Sequence, residues 1–493
     1  MGAIVAVLSK YGRNVVPEAI KMLKILKHRG SDAYGISDGK KIIVAKNLKE
    51  ITYVDMKSSV VLGYNFRRIF PSDIPQPIDG KSFKIVFDGR IFPPHSMSDI
   101  IDFIERSSSN IEDSAKNIIK TLDGAFAFAI LKDDKLIVGR DPVGAIPLYL
   151  GENEQIYALA SERKALWAIG IRDDHIKSFP PGNIAEIGDG NIKLKPIKTI
   201  GLTLVKNFNE EEILGRLYSL LSNSIMKRTL DADKISIAFS GGVDSSVLAA
   251  LVKELGVKAF LIYVGLEGSK ELNQAEEAAE KIGLPFQAEL YAPEDVKESV
   301  HKVLWLIESA DALGAAIGIP IFWVAETSAK MGCKVMLLGQ GSDEIFAGYY
   351  KYLGDYKKSK EYVERIIYHD ALNLHEKSLE PAEKICSFHG IEVRFPYADY
   401  DLMAFAVNLP ITLKIIGEDD LLRKRILRRL AEHIGLPPEL CWRPKKAIQY
   451  GTKVNEVLKK MGRKMGLSMK NFVEHMFEEI KWFNKDENYT SNI

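Results

Sequence analysis

At 493 residues the chain is too long for a single hydrophobic core, so two or more domains are expected. Its 46% hydrophobic and 27% charged content is ordinary for a globular protein. The balance of 67 basic against 66 acidic residues, net +1, offers no global field for nucleic acid. Three widely spaced cysteines, Cys333, Cys386 and Cys441, exclude a disulfide framework or a cysteine metal cluster and suit a reducing cytoplasm. No unbroken apolar run reaches the roughly 18 residues of a membrane span, and the N-terminus carries no signal-peptide pattern. The expectation is a cytoplasmic protein acting on small molecules, with neither nucleic acid nor membrane as partner.

Residues 3–8 form a short apolar run that predicts a strand, and 16–26 carry helical spacing. Further strands are predicted at 41–46, 59–64, 83–87, 125–131, 135–139, 147–150 and 157–160, with helices near 97–105 and 113–121. Two stacked sheets between helix layers, an αββα sandwich over residues 1–195, is the natural architecture. His28 is read as the anchor of its loop rather than as a base.

Residues 193–209 turn to Lys, Thr and Pro without periodicity and read as a linker, followed by an amphipathic helix at 210–228. From there to residue 493 strand and helix alternate, which predicts a doubly wound parallel sheet with ligands at the C-terminal ends of its strands. The apolar run 235–239 feeds Ser240, Gly241, Gly242, Val243, Asp244, Ser245 and Ser246, then a helical pattern from 247 to 255. Strand, glycine-hydroxyl turn and helix start together make an anion site: glycines admit a close backbone approach, hydroxyls donate, and the helix N-terminus adds positive charge. No Walker sequence occurs in the chain. A second apolar run, Val335-Met-Leu-Leu338, feeds Gly339-Gln-Gly-Ser-Asp-Glu344. Carboxylates at the ends of two such strands, Asp244 and Asp343, can hold Mg²⁺ against phosphates, since Mg²⁺ takes hard oxygen ligands. The basic stretch Arg423-Lys-Arg-Ile-Leu-Arg428 is read as the start of a solvated or nucleotide-facing helix rather than a nucleic-acid contact.

The loop at Ser240 resembles the pyrophosphate signature of the N-type ATP pyrophosphatases, which cleave ATP between the α and β phosphates and pass AMP to a substrate. The segments His28-Arg-Gly-Ser-Asp32, Leu122-Asp-Gly-Ala-Phe-Ala-Phe128, Gly139-Arg-Asp-Pro-Val-Gly144, Pro147-Leu-Tyr149 and Ser161-Glu-Arg-Lys-Ala-Leu166 follow in the order found in class-B, glutamine-dependent asparagine synthetases. The chain therefore resembles that family over both halves. The resemblance implies an N-terminal nucleophile (Ntn) hydrolase-like glutaminase domain at 1–195 and an adenylating domain at 205–493. It also implies an adenine-receiving backbone at Val264, a family block at Gly390-Ile-Glu-Val-Arg-Phe-Pro396, and a lysine at Lys445 that steadies charge on the departing pyrophosphate.

Departures from the family pattern are equally informative. Gly2 stands where the family has its nucleophilic cysteine, and glycine has no side chain to attack with. Asp88-Gly89-Arg90 replaces the family's Asn-Gly-Glu, reversing a charge in the glutamine pocket, while Arg67 is matched to the carboxylate-binding arginine. Gln340 replaces a glutamate and can neither accept a proton nor attract ammonium as strongly, with Asp343 and Glu344 the remaining acids of that turn. The expectation is an ATP- and Mg²⁺-dependent amide ligase that adenylates aspartate and uses free ammonia, its N-terminal half silent. Two alternatives stand beside it: a ligase for another acid or an intramolecular amine, as in β-lactam-forming relatives, and a non-catalytic scaffold. A homodimer and a separate glutaminase partner are assemblies the resemblance allows.

Overall fold

The computed structural model describes the chain except residues 81, 107–109, 189, 206–207, 270, 445–447 and 484–493. It divides into two compact units, Met1–Thr199 and Ile200–Ile493.

In the first unit the strands are β1 (Gly2–Ser9), β2 (Ala33–Ser37), β3 (Ile42–Ala45), β4 (Val60–Phe66), β5 (Ile78–Asp79), β6 (Lys84–Ile91) and β7 (Gly124–Lys132). After them come β8 (Lys135–Arg140), β9 (Tyr149–Glu152), β10 (Ile156–Ala160), β11 (Ile176–Ser178), β12 (Asn183–Gly188) and β13 (Asn191–Pro196). They build a seven-stranded sheet in the order β11-β9-β10-β1-β4-β2-β3 and a six-stranded sheet in the order β13-β12-β8-β7-β6-β5. Period-two alternation in β1 explains the layering. Ile4, Ala6 and Leu8 face the second sheet and meet Val86, Ala129 and Val138. Ala3, Val5 and Val7 face the other way, onto Ala19, Met22 and Leu23 of the helix Val16–Ile25. Helices Met97–Arg106 and Ile111–Thr121 cover the outer face of the second sheet through Ile100, Ile104, Ile118 and Ile119. The result is the expected αββα sandwich. β13 occupies the start of the stretch read as a linker: Ile192 and Leu194 alternate with Asn191, Lys193 and Lys195, a period-two signal of only two apolar residues at a sheet edge where Leu194 itself is half exposed.

In the second unit β14 (Ile235–Ala238), β15 (Ala259–Leu266), β16 (Phe286–Tyr291), β17 (Val335–Leu337) and β18 (Glu392–Arg394) form an all-parallel sheet in the order β16-β15-β14-β17-β18. The chain steps from β14 outward through β15 to β16, then returns to lay β17 on the other side of β14. The switch point therefore lies between β14 and β17, where such sheets open a crevice for ligands. Helix Ala312–Lys330 packs against β14 and β15, and Ser328 shares a 2.6 Å hydrogen bond with Ser236 of β14. This helix is long and apolar enough to cross a membrane by composition, yet 67% of its most apolar window is buried inside the fold, as in a core helix.

Two helix starts differ from the sequence expectation. The helix after the serine-glycine loop begins at Val243, not 247, so Asp244, Ser245 and Ser246 sit in its first turn. The basic helix spans Arg425–His433, and Arg423 and Lys424 precede it with φ of 52° and 50°. It is not a solvated helix on that side: Arg423, Lys424 and Arg428 are all buried, because the Asp244 and Asp343 carboxylates and the main-chain carbonyls of packed turns receive their donors.

Candidate active site

The two loops at the switch point are built by glycine. Gly241 takes φ +68°, and a Cβ there would stand 3.0 Å from Ala275 Cα and 3.1 Å from the Gln274 carbonyl, so no other residue fits without movement. Within the loop, Ser245 Oγ donates to the Gly242 carbonyl at 3.1 Å and accepts from Ser240 N at 3.3 Å. Ser240 is exposed at the mouth, and the buried Ser246 Oγ has no partner among the described residues. Gly339, two residues past β17, lies against Asp244, where a Cβ would make an ordinary 3.6 Å contact.

The centre of the site is an ammonium the sequence did not single out. Lys424 Nζ lies 2.7 Å from Asp244 Oδ1 and 2.7 Å from Asp343 Oδ1, and donates to Ser342 Oγ at 2.6 Å. The lysine is fully buried while each carboxylate keeps about a quarter of its side-chain exposure. Burial alone lowers an ammonium's pKa, but here the two carboxylates outweigh it and hold Lys424 above the usual lysine range. Gly348 makes the arrangement sterically possible: a Cβ there would stand 1.7 Å from Asp343 Oδ1 and 2.2 Å from Lys424 Cε.

Around this centre, the buried Tyr397 hydroxyl donates to the Asp244 carbonyl at 3.0 Å and fixes the first turn of the helix from below. Tyr349 donates to Glu344 Oε1 at 2.6 Å. Burial, then the charge of Asp343, pushes the Glu344 carboxyl above its ordinary value. Gln340 is half-buried at the head of the same turn. Val264 is buried in the C-terminal half of β15, and its neighbour Leu266 donates its amide to the Thr452 carbonyl at 3.2 Å. The block at Gly390 is framework: Arg394 pairs with Asp231 at 2.5 Å and with Glu392 at 2.5 Å, on the strand that leads to Tyr397. Lys445 lies outside the described residues. The segment before it is placed, with Arg443 Nη1 donating to the carbonyls of Gly241 at 3.2 Å and Gln274 at 3.0 Å.

In the first unit the residues matched to a glutamine pocket are engaged by other groups of the same unit. Asp88 Oδ1 accepts from Gly2 N at 2.8 Å, Tyr64 Oη at 3.2 Å and Gly89 N at 3.0 Å. Arg90 pairs with Asp73 at 2.8 Å and lies over the Phe70 ring, while Arg67 Nη2 donates to the His28 carbonyl at 2.8 Å. A Cβ on Gly2 would fall 2.0 Å from the Asn65 carbonyl oxygen and 2.6 Å from Tyr64 Cζ. His28 Nε2 sits 3.1 Å from Glu162, beside Arg29 and Lys164, in a buried cluster that anchors its loop.

The family profile described as asparagine synthase matches residues 216–361 and 355–479, together more than half of the chain. The chain belongs to the asparagine synthase family. It is accordingly an enzyme, an ATP-dependent amide-forming ligase, and the Lys424 centre sits within the matched region. A glutamine amidotransferase domain profile matches residues 72–168 of the first unit. Relatives include a putative glutamine-hydrolysing asparagine synthetase of Methanocaldococcus jannaschii, 29% identical over 97% of this chain and 98% of its own. Asparagine synthetase B of Escherichia coli strain K12 is 26% identical, covering 88% of this chain and 79% of its own. Among solved structures, glutamine phosphoribosylpyrophosphate amidotransferase from B. subtilis covers 58% of this chain and 65% of its own at 18% identity, with a TM-score of 0.35, too low to argue from.

Proposed function

We propose that the chain adenylates aspartate with ATP and joins the product to free ammonia, giving asparagine, AMP and pyrophosphate. The observation that carries the ATP half is the convergence of Asp244, Asp343 and Lys424 on the phosphate-type loop at the switch point of the sheet. The loop Ser240–Ser246, with its hydroxyls and the helix start at Val243, would cradle the β and γ phosphates. A carboxylate oxygen of the acid attacks the α-phosphorus and the bond to the pyrophosphate breaks. Lys424, and Lys445 by family resemblance, steady the charge that builds on the leaving group. The amine then attacks the acyl carbon of the adenylate and AMP departs.

A divalent cation fits the donor set. Asp244 and Asp343 already converge within 2.7 Å of one cationic nitrogen, and both are hard oxygen donors. Among the described residues no group of three or more metal-binding side chains occurs, so phosphate oxygens and water would complete the shell. Bound there, Mg²⁺ supplies charge neutralisation to the leaving pyrophosphate.

Free ammonia as the amine is supported by the first unit, where Asp88, Arg90 and Arg67 are engaged internally and residue 2 has no nucleophile. Gln340 favours a second reading in which the acid is not aspartate, since the amide brings no charge to that turn.

Pyrophosphate release from Mg·ATP tests this directly, with aspartate plus ammonia, aspartate plus glutamine, or neither. Release with asparagine formation from ammonia alone is expected. Turnover with glutamine overturns the silence of the first unit, and release with a different carboxylate only overturns aspartate.

A further inference from the structure

Arg428 is fully buried, and among the described residues its hydrogen-bond partners are all main-chain carbonyls. Nε donates to Arg423 O at 2.8 Å and Nη2 to Leu422 O at 2.8 Å. Nη1 donates to Cys441 O at 2.6 Å and to Arg443 O at 2.8 Å. One planar fork thus joins two segments. The first is the turn in which Arg423 and Lys424 both adopt left-handed backbone, φ 52° and 50°, a conformation that persists only where the surroundings over-determine it. The second is Cys441–Arg443, whose arginine reaches the carbonyl of Gly241 in the phosphate loop. Burying a guanidinium without a carboxylate at hydrogen-bond distance is unfavourable unless its donors find acceptors, and these carbonyls take four of its five N–H groups.

We infer that Arg428 is a positioning residue for the adenylation step: it locks the left-handed turn that carries Lys424 onto Asp244 and Asp343, and ties that turn to the segment clasping the phosphate loop. The left-handed pair turns the Lys424 side chain inward, and the two carbonyls that Arg428 grips flank the turn's first strained residue. Gly348, through its carbonyl, receives Arg423 Nε at 3.0 Å and closes the turn from the other side. A lysine at 428 cannot reproduce the grip, because an ammonium lacks the fixed fork that reaches four carbonyls in one plane.

The inference rests on the ligase reading for its kinetic arm alone; its second arm needs no substrate. Arg428→Lys is expected to lower kcat for pyrophosphate release about 100-fold with little change in KM for ATP, as for a displaced catalytic group. Combined with Lys424→Met it is expected to add no further loss, because both changes remove the same contact. In the second arm the proteins are treated with an amine-acylating reagent and mapped by mass spectrometry. Lys424 is protected in the parent and becomes reactive in Arg428→Lys, while Lys384, buried elsewhere in the same unit, stays protected. Losses that multiply in the double variant, Lys424 remaining protected, or Lys384 and Lys424 opening together would each overturn the inference. If the parent turns over no acid at all, the ligase reading fails and the labelling decides this one.

Discussion

Lys424 and Asp244 stand 180 residues apart in the chain and 2.7 Å apart in space, and the lysine is the more deeply buried of the two. The relationship makes Lys424 an internal counter-cation for two carboxylates that would otherwise repel one another. Replacing it by methionine keeps the volume and removes the charge. The expected outcome is a fall of about 10²–10³ in kcat for pyrophosphate release. Unchanged turnover would place the chemistry elsewhere.

Gly348→Ala probes the same centre by bulk. The new methyl would collide with Asp343 Oδ1 and Lys424 Cε, and neither can retreat without breaking the ion pair. Overpacking of this kind costs about 1–3 kcal/mol, so a lower Tm is expected together with a loss of pyrophosphate release. A variant as active and as stable as the parent would contradict the geometry.

Gly2→Cys is the tempting route to a glutaminase. The first side-chain atom would already overlap the Asn65 carbonyl and the Tyr64 ring. No glutamate release from glutamine is expected, and Tm should fall. Glutamine hydrolysis by this single variant would show that the pocket opens more easily than its hydrogen bonds imply.

Lys414 gives a pH signature. It is buried, among the described residues donates only a long 3.3 Å bond to the Val407 carbonyl, and burial, partly offset by Glu364, lowers its pKa from the ordinary lysine range to about 7. Between about pH 7 and 10.5 the unfolded chain keeps this proton and the folded one does not, so stability rises with pH through that window. Lys414→Met is expected to flatten that slope in urea midpoints and to raise stability at pH 7 by a few kcal/mol, with about 5 kcal/mol as the ceiling set by the shift. A slope that survives the substitution would assign it to another group.

Much of the architecture is legible in the chain because local and global demands agree. β1 is apolar from Ala3 to Leu8 since both its faces are covered, and β14 and β17 each run into a glycine-containing loop, at Gly241 and Gly339, where the chain must pass close to a ligand. The buried basic residues are not legible in the same way. Arg423, Lys424 and Arg428 lie in a stretch whose composition suits an exposed helix, and nothing nearby in sequence says which charges will be desolvated. Asp88 carries no mark that it will be consumed by Gly2 and Tyr64 rather than left for a ligand.

What the sequence by itself determined is the set of local devices: strand, glycine turn and helix start at Ser240, a second turn with its acids at Asp343, and a glycine at residue 2. These follow from backbone sterics and short-range periodicity, which act over a few residues. Only the tertiary structure decided that Lys424 fills the space between Asp244 and Asp343, and that Arg428 grips the turn that carries it. Those facts depend on which distant groups meet in a low-dielectric interior, where a buried charge must find its partner wherever the fold brings one.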